Sequence, residues 1–523
     1  MASNHELKEA PPSQEKPASI TGVESTDIAA ASFEDSAVKL FLETHQYTAE
    51  ELAAEASAVR RIVDRRIVPI VAAQICITYM IQFLDKLSLN YASAYSLIDD
   101  LGLGGHRYAW TAAVFNFGLL FWSIPTTLLL QRFPLAKFTG TMILGWSIVL
   151  ICHVAARNYA GILVLRFVLG MFEASVVPAV MNLVSMWYTR SEQPIRLYTF
   201  HAFNGMATML GALLAYGLGH SHSSHLKSWK LIFLTIGLLN FVWAWVFLWL
   251  MPDSPMSAKF LTHRQQVVAV KRVSENMIGV KNKKFKPRQA LEAITDLRVL
   301  GYATIGLAGG TINGGVSNFA TALIKGYGYS GIQATLLQLP VGGFEFVLIP
   351  ICGLIATRFT NARCLVLAGV CLIPFGGLLG IRFTSLDHKW TLVGCTWLQY
   401  MVGGPVIISC NLLASNVAGH TKRSISNGIY FVFYAAGNIA GANIFFAREK
   451  PRYFSAISGL LICYAGIIVI GLGLRLYMQW ENKRRDRITV VDGIAPGGID
   501  DAGALGGFND ETDKENLHFR YAL

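Results

Sequence analysis

The stretch Arg166-Phe-Val-Leu-Gly-Met-Phe-Glu173 decides how this chain is read. It lies inside an apolar segment running from about Tyr159 to Val184. A hydrocarbon core of roughly 30 Å takes about 20 helical residues to cross, so the segment can span a membrane. A plain anchor would carry leucine at its centre. This one carries an arginine and a glutamate, each costing about 2.5–3.5 kcal/mol there even on the more lenient insertion scale. The two stand about two helical turns apart, so they share a face, with Gly170 between them leaving space over it. That spacing allows two readings: an ion pair locking two helices, or a substrate or proton site facing an aqueous cavity. Charges inside a membrane usually line pathways, which favours the second.

The rest of the chain agrees with a membrane setting. It has 523 residues, 53% hydrophobic and only 15% charged, with a mean hydropathy of +0.43. A soluble domain carries about 25% charged residues. The net charge of +11 does not point to nucleic acid, because the cations cluster in short loops between apolar segments, the pattern of membrane topology. The eight cysteines sit in or beside apolar segments without a CxxC pair, so neither a disulfide framework nor a metal site is indicated. No apolar leader opens the chain, and no cleavable signal peptide is expected.

Twelve apolar segments follow one another at about 67–93, 108–130, 137–156, 159–184, 195–218, 229–251, 298–324, 332–357, 362–381, 390–417, 425–446 and 454–478. The expected fold is therefore an all-α polytopic membrane protein with twelve transmembrane helices in two six-helix bundles. The domains read as a largely disordered tail over 1–66, a bundle over 67–251, a basic linker over 252–297, a second bundle over 298–480 and a tail over 481–523. Lys and Arg concentrate in the collar 60–66, the linker and Lys483-Arg-Arg-Asp-Arg487, which puts both termini in the cytoplasm. The halves echo each other: Arg132-Phe133-x3-Lys137 follows the second segment and Arg358-Phe359-x3-Arg363 follows the eighth. A parallel repeat about an axis along the membrane normal produces such a match.

Polar residues inside the spans nominate a site. Tyr79, Gln82, Lys86 and Asn90 form one stripe on the first helix, with Asp85 about 100° away from Lys86. Asp85, Lys86, Arg166 and Glu173 supply two carboxylates and two cations at membrane depth. A balanced set of this kind suits an anion site that also exchanges protons. Asn204 and His201 lie in the fifth segment, and Asn313-Gly-Gly is expected to bend or break the seventh. Glu345 stands alone in the eighth segment and reads as functional. Gly437-Asn-Ile-Ala-Gly441 reads as a small-residue helix contact. His220-x-His222-x2-His225 reads as a solvated loop. None of these groups forms the constellations of a membrane enzyme.

These pieces together resemble the major facilitator superfamily, and within it the anion:cation symporter branch of fungal allantoate permease-like transporters. The resemblance covers about 60–480. It is carried by Arg65-Arg66-Ile-Val-Pro69, Leu84-Asp85-Lys86-x3-Asn90, Arg166-Phe-x2-Gly-x2-Glu173-Ala-x3-Pro178 and Trp187-Tyr188-x3-Glu192-Gln193-x2-Arg196. It is carried further by Asn204-Gly205, Pro252-Asp-Ser-Pro255, Thr421-Lys-Arg423 and Gly437-Asn-Ile-x-Gly441. It implies proton-coupled uptake of a small organic anion, such as a ureide, a vitamin carboxylate or a dipeptide, across the plasma membrane by a monomer. No cofactor is implied beyond the proton gradient. Substrate binding falls to Lys86, Arg166, Tyr79, Asn204 and Asn313, and proton coupling to Asp85, Glu173 and Glu345. Related members often have arginine after the first-span aspartate; Lys86 is a point charge without arginine's two-pronged fork. The usual acid of the loop after the second span is also replaced, by Gln131-Arg132. An exporter on the same fold and a nutrient sensor are the competing readings.

Overall fold

The computed structural model describes residues 70–189, 192–220, 226–258, 286–399, 403–491 and 511–523, with scattered linker residues between 260 and 269. The basic collar, most of the N-terminal tail, Lys281, Lys283, Lys284, His222 and His225 lie outside the described residues. All regular elements among the described residues are helices. Apolar runs in lipid must satisfy their own backbone hydrogen bonds, and a helix does this within one segment.

The first half contains α1 (Ala73–Ala92), α2 (Arg107–Arg132), α3 (Leu135–Cys152), α4 (Tyr159–Glu173), α5 (Val176–Trp187), α6 (Gln193–Gly219) and α7 (Ser228–Leu250). A linker helix α8 (Pro287–Thr295) precedes the second half. That half contains α9 (Leu297–Gly326), α10 (Leu339–Arg358), α11 (Arg363–Phe383), α12 (Lys389–Trp397), α13 (Gly403–Asn416), α14 (His420–Asn443) and α15 (Phe454–Val491). Among the described residues nine helices are long and apolar enough to cross a membrane. The remaining expected spans, the seventh, tenth and eleventh, also form helices, but they carry more glycine and polar residues.

The two halves pair their helices alike. In the first, α1 packs on α6 and α3 on α7; in the second, α9 packs on α14 and α11 on α15. In order of spans these are first with fifth and third with sixth, repeated as seventh with eleventh and ninth with twelfth. Across the halves α6 packs on α10 and α2 on α14, again equivalent positions. The echo between the loops after the second and eighth spans thus belongs to a repeat of whole helix pairs.

Four local expectations change. The fourth segment is not one helix: α4 ends at Glu173 and α5 begins at Val176. The seventh is not broken: α9 runs unbroken through Asn313-Gly-Gly, and its glycines admit a neighbour instead. A Cβ on Gly310 would stand 2.1 Å from the Tyr434 carbonyl oxygen, and one on Gly441 would stand 2.0 Å from that of Thr311. The backbones of α9 and α14 therefore touch, as the small-residue motif 437–441 foretells. Gly170 likewise leaves no open space over its face. A Cβ there would meet the Phe115 carbonyl oxygen at 2.1 Å, so the glycine seats α2 against α4. The last helix also continues to Val491, past the expected boundary at 480.

Candidate functional site

Lys86 and Asn90 of the α1 stripe face the second half. Lys86 Nζ donates to Asn313 Oδ1 of α9. Farther along, Asn90 Nδ2 donates to Gln338 Oε1 at 3.2 Å, and Asn90 Oδ1 accepts from the Thr321 amide at 3.3 Å. Tyr108 Oη donates to the Asn318 carbonyl at 2.9 Å and Lys325 Nζ to that of Ala94 at 3.2 Å. These bonds join the halves at the end away from the linker. Nearer the linker, Asn411 Nδ2 donates to Tyr198 Oη at 3.0 Å.

Asp85, one residue from Lys86, points the other way. It is fully buried, and both its oxygens accept from Asn240 Nδ2 of α7, at 2.6 and 2.5 Å. The rotation of about 100° per helical residue separates the two: Lys86 serves the interface between halves, Asp85 the inside of the first half. Asn240 was not nominated from the sequence. Its only signal is a lone amide at mid-depth in the segment 228–250, where an unpaired polar group is costly.

Arg166 is 2% exposed. Its guanidinium lies over the Phe233 ring of α7, 5.5 Å from the centroid, and its Nε and Nη2 have no hydrogen-bond partner among the described residues. Glu173 closes α4, buried, with Oε1 unpartnered. It lies within electrostatic reach of Arg166, Asp85 and Lys86. Glu345 of α10 is 4% exposed with Oε2 unpartnered, and it reaches Lys86 from the second half. A Cβ on Gly403 of α13 would stand 3.7 Å from its Oε1.

The nominated residues thus gather into two connected groups. Asp85, Arg166 and Glu173 sit inside the first half; Lys86, Asn313 and Glu345 sit between the halves, with Glu173 touching both fields. Tyr79 and Asn204 stand apart, on the linker side. The Tyr79 ring packs on His201 at 5.0 Å, its hydroxyl lacks a hydrogen-bond partner, and so does Asn204 Oδ1. Buried polar atoms without partners are rare in finished cores, and a row of them beside a domain interface marks where a polar ligand or water fits. The cluster counts two cations, Lys86 and Arg166, against three carboxylates, Asp85, Glu173 and Glu345. Adding one proton to one carboxylate balances it.

A sequence model described as Major Facilitator Superfamily matches residues 75–442. The chain is 36% identical over 449 residues to an uncharacterized transporter of Schizosaccharomyces pombe, covering 85% of this chain and 84% of that protein. It is 32% identical over 465 residues to Allantoate permease of Saccharomyces cerevisiae, covering 86% and 84%. To Thiamine pathway transporter THI73 of the same yeast it is 29% identical over 481 residues, covering 92% of this chain and 88% of that protein. In structure it is similar to a bacterial homolog of the human lysosomal transporter Spinster in an inward-facing, unoccupied conformation. The TM-score is 0.55 at 13% identity, covering 77% of this chain and 94% of the other, which bears on the fold alone.

Proposed function

This chain belongs to the major facilitator superfamily and is an integral membrane transporter, and from that premise we propose that it takes up a small organic anion together with protons. The observation that carries the reading is Lys86. It is a half-buried cation at the seam between the halves, bonded across it to Asn313, with a carboxylate from each half, Glu173 and Glu345, in its field. An intramembrane charge at such a seam is where secondary transporters hold their cargo.

In this scheme Glu173, Glu345 and Asp85 take protons from one face. Neutralising them removes the internal partners of Lys86, and the arriving anion replaces them. Arg166 stands behind as the second cation, with two unpaired donors. Asn313, Tyr79 and Asn204 supply neutral hydrogen bonds around the substrate. Two protons shared among the three carboxylates balance the two cations once a monoanion is bound, so the loaded seam is neutral and the halves rock past it at lower electrostatic cost. Release on the other face restores the internal pairs. The similarity to Allantoate permease supports a ureide or another small carboxylate as cargo, and the placement of Lys and Arg in the loops supports cytoplasmic termini.

Purified protein in proteoliposomes tests this against a panel of allantoate, nicotinate, pantothenate and dipeptides. An inward proton gradient is expected to drive accumulation of at least one of these anions. Glu173→Gln is expected to keep exchange of that anion across the membrane but lose its acceleration by the gradient. Exchange of organic cations alone would instead favour the exporter reading, and accumulation by Glu173→Gln equal to the parent would remove Glu173 from proton coupling.

A further inference from the structure

The segment 511–523 lies in the expected C-terminal tail, 481–523. It folds onto the linker side of the second half. Thr512 and Glu515 cap each other, the Thr512 amide donating to Glu515 Oε2 at 3.0 Å and the Glu515 amide to Thr512 Oγ1 at 3.2 Å. The fully buried Asp513 pairs with Arg298 of α9 at 2.5 Å and Lys422 of α14 at 2.7 Å. The Tyr521 ring, 3% exposed, lies under two guanidinium groups, Arg298 at 4.2 Å and Arg485 of α15 at 4.7 Å. Asn416 of α13 exchanges two hydrogen bonds with Ala522, at 3.0 and 2.7 Å. The Arg363 amide, at the start of α11, donates to the Leu523 carbonyl at 2.8 Å. The segment therefore ties together the linker-side ends of five helices.

The same cluster holds the linker. Lys422 also pairs with Glu292 of α8 at 2.8 Å and with Asp296 at 2.9 Å. Gln289 of α8 accepts from the Thr421 and Lys422 amides. At its other end the linker is fixed to the first half: Asp253 accepts from the Ala136 and Lys137 amides at 3.0 and 3.2 Å, and Phe260 stacks on Trp187 at 6.1 Å. The linker is pinned to both halves, and its second pin shares Lys422 with the segment 511–523.

The charges are arranged so that this pin can open. With the segment docked, the cluster holds Arg298, Lys422 and Lys514 against Glu292, Asp296 and Asp513. Without it, Arg298 and Lys422 remain against Glu292 and Asp296. To this cluster the segment brings Asp513 and the half-exposed Lys514, 3.8 Å from Asp296, so the formal charges balance in both states, and neither leaves the uncompensated buried charge that makes breaking an ion pair costly. Burial would raise the Asp296 carboxyl, but Arg298 and Lys422 outweigh it and hold it well below the usual range, so Asp296 is anionic at neutral pH.

We propose that residues 511–523 form a releasable strap that holds linker helix α8 against the second half. Docked, it shortens the free linker between the halves. Released, it lengthens that tether, which constrains how far the linker-side ends of the two bundles can separate.

Amide hydrogen exchange on the full chain in lipid nanodiscs tests this without any substrate. In the parent, 286–296 and 511–523 are expected to be protected together. Tyr521→Ala and Asp513→Lys are each expected to raise exchange at least tenfold in both stretches while leaving 228–245 unchanged, because only the strap and what it holds open locally. Tyr521→Phe retains the ring under both guanidinium groups but loses the hydroxyl's bonds to Arg485 at 2.8 Å and Asp513 at 3.1 Å, and is expected to exchange faster than the parent but slower than Tyr521→Ala in both stretches. Should Asp513→Lys fail to fold, Tyr521→Ala decides alone. Parent-like protection of 286–296 in a variant whose 511–523 exchanges freely overturns the proposal. So does a parent in which 511–523 is already unprotected.

Discussion

At the scale of single residues, the separation of Asp85 from Lys86 matters most. Adjacent in sequence, they point into different compartments of the molecule. The Asn240 amide, a neutral partner, contacts both oxygens of Asp85. A hydrogen bond to a charged group contributes about 1.5–3 kcal/mol, and about 1.4 kcal/mol is tenfold in a rate. Asn240→Leu is close in volume but donates nothing. It is expected to lower transport at least tenfold, with folded protein recovered in parent-like amount, measured by uptake into proteoliposomes and by size-exclusion profile. An undiminished rate would mean that Asp85 does not need this partner during the cycle. The orphaned donors of Arg166 and the unpartnered oxygens of Glu173 and Glu345 belong to the same scale: each is a hydrogen bond left for a ligand or water to make.

At the scale of helices, glycine decides who may touch whom. In lipid there is little hydrophobic drive between helices, so close backbone approach and van der Waals contact hold them together. On α14, a Cβ at Gly437 would stand 2.1 Å from the Leu307 carbonyl oxygen, whereas one at Gly428 meets nothing within 4 Å. The obstacle at Gly437 is backbone, which cannot swing aside. Gly437→Ala is therefore expected to force α9 and α14 apart and destabilise by more than the 1–3 kcal/mol or so typical of overpacking. Gly428→Ala is expected to be neutral or slightly stabilising through its higher helix propensity. Thermal unfolding in detergent would show the contrast, and equal melting temperatures for the two variants would contradict the packing described here.

At the scale of the whole molecule, the two bundles meet through a second pair of glycines. A Cβ on Gly205 of α6 would stand 2.3 Å from the Gly342 carbonyl oxygen of α10, and a Cβ on Gly342 would stand 2.3 Å from that of Gly205. The halves thus meet there through a contact with almost no side-chain depth, beside Asn204 and Phe346. Gly342→Leu places a wedge there. It is expected to abolish transport while the helix pairs inside each half keep parent-like hydrogen-exchange protection. Loss of protection throughout one half would mean that this seam stabilises a bundle, and does not merely join the two.

The sequence by itself determined the membrane setting, the helical fold and the division into halves. Apolar segment length and cation placement are local, and lipid leaves a spanning chain few alternatives to a helix. It also nominated Asp85, Lys86, Arg166 and Glu173, because a charge is conspicuous where leucine is cheap. Only the tertiary structure decided what each one faces. The α1 stripe could be read from its period, but not that it meets Asn313 and Gln338; Asn240 was hidden as one amide in an apolar run. The strap was illegible for a similar reason. Asp513 and Arg298 are 215 residues apart, and a short acidic stretch reads the same whether solvated or buried. Period and composition report on a helix and its surroundings. Which helix supplies those surroundings is fixed only when glycines let particular backbones approach and buried charges find their counterparts.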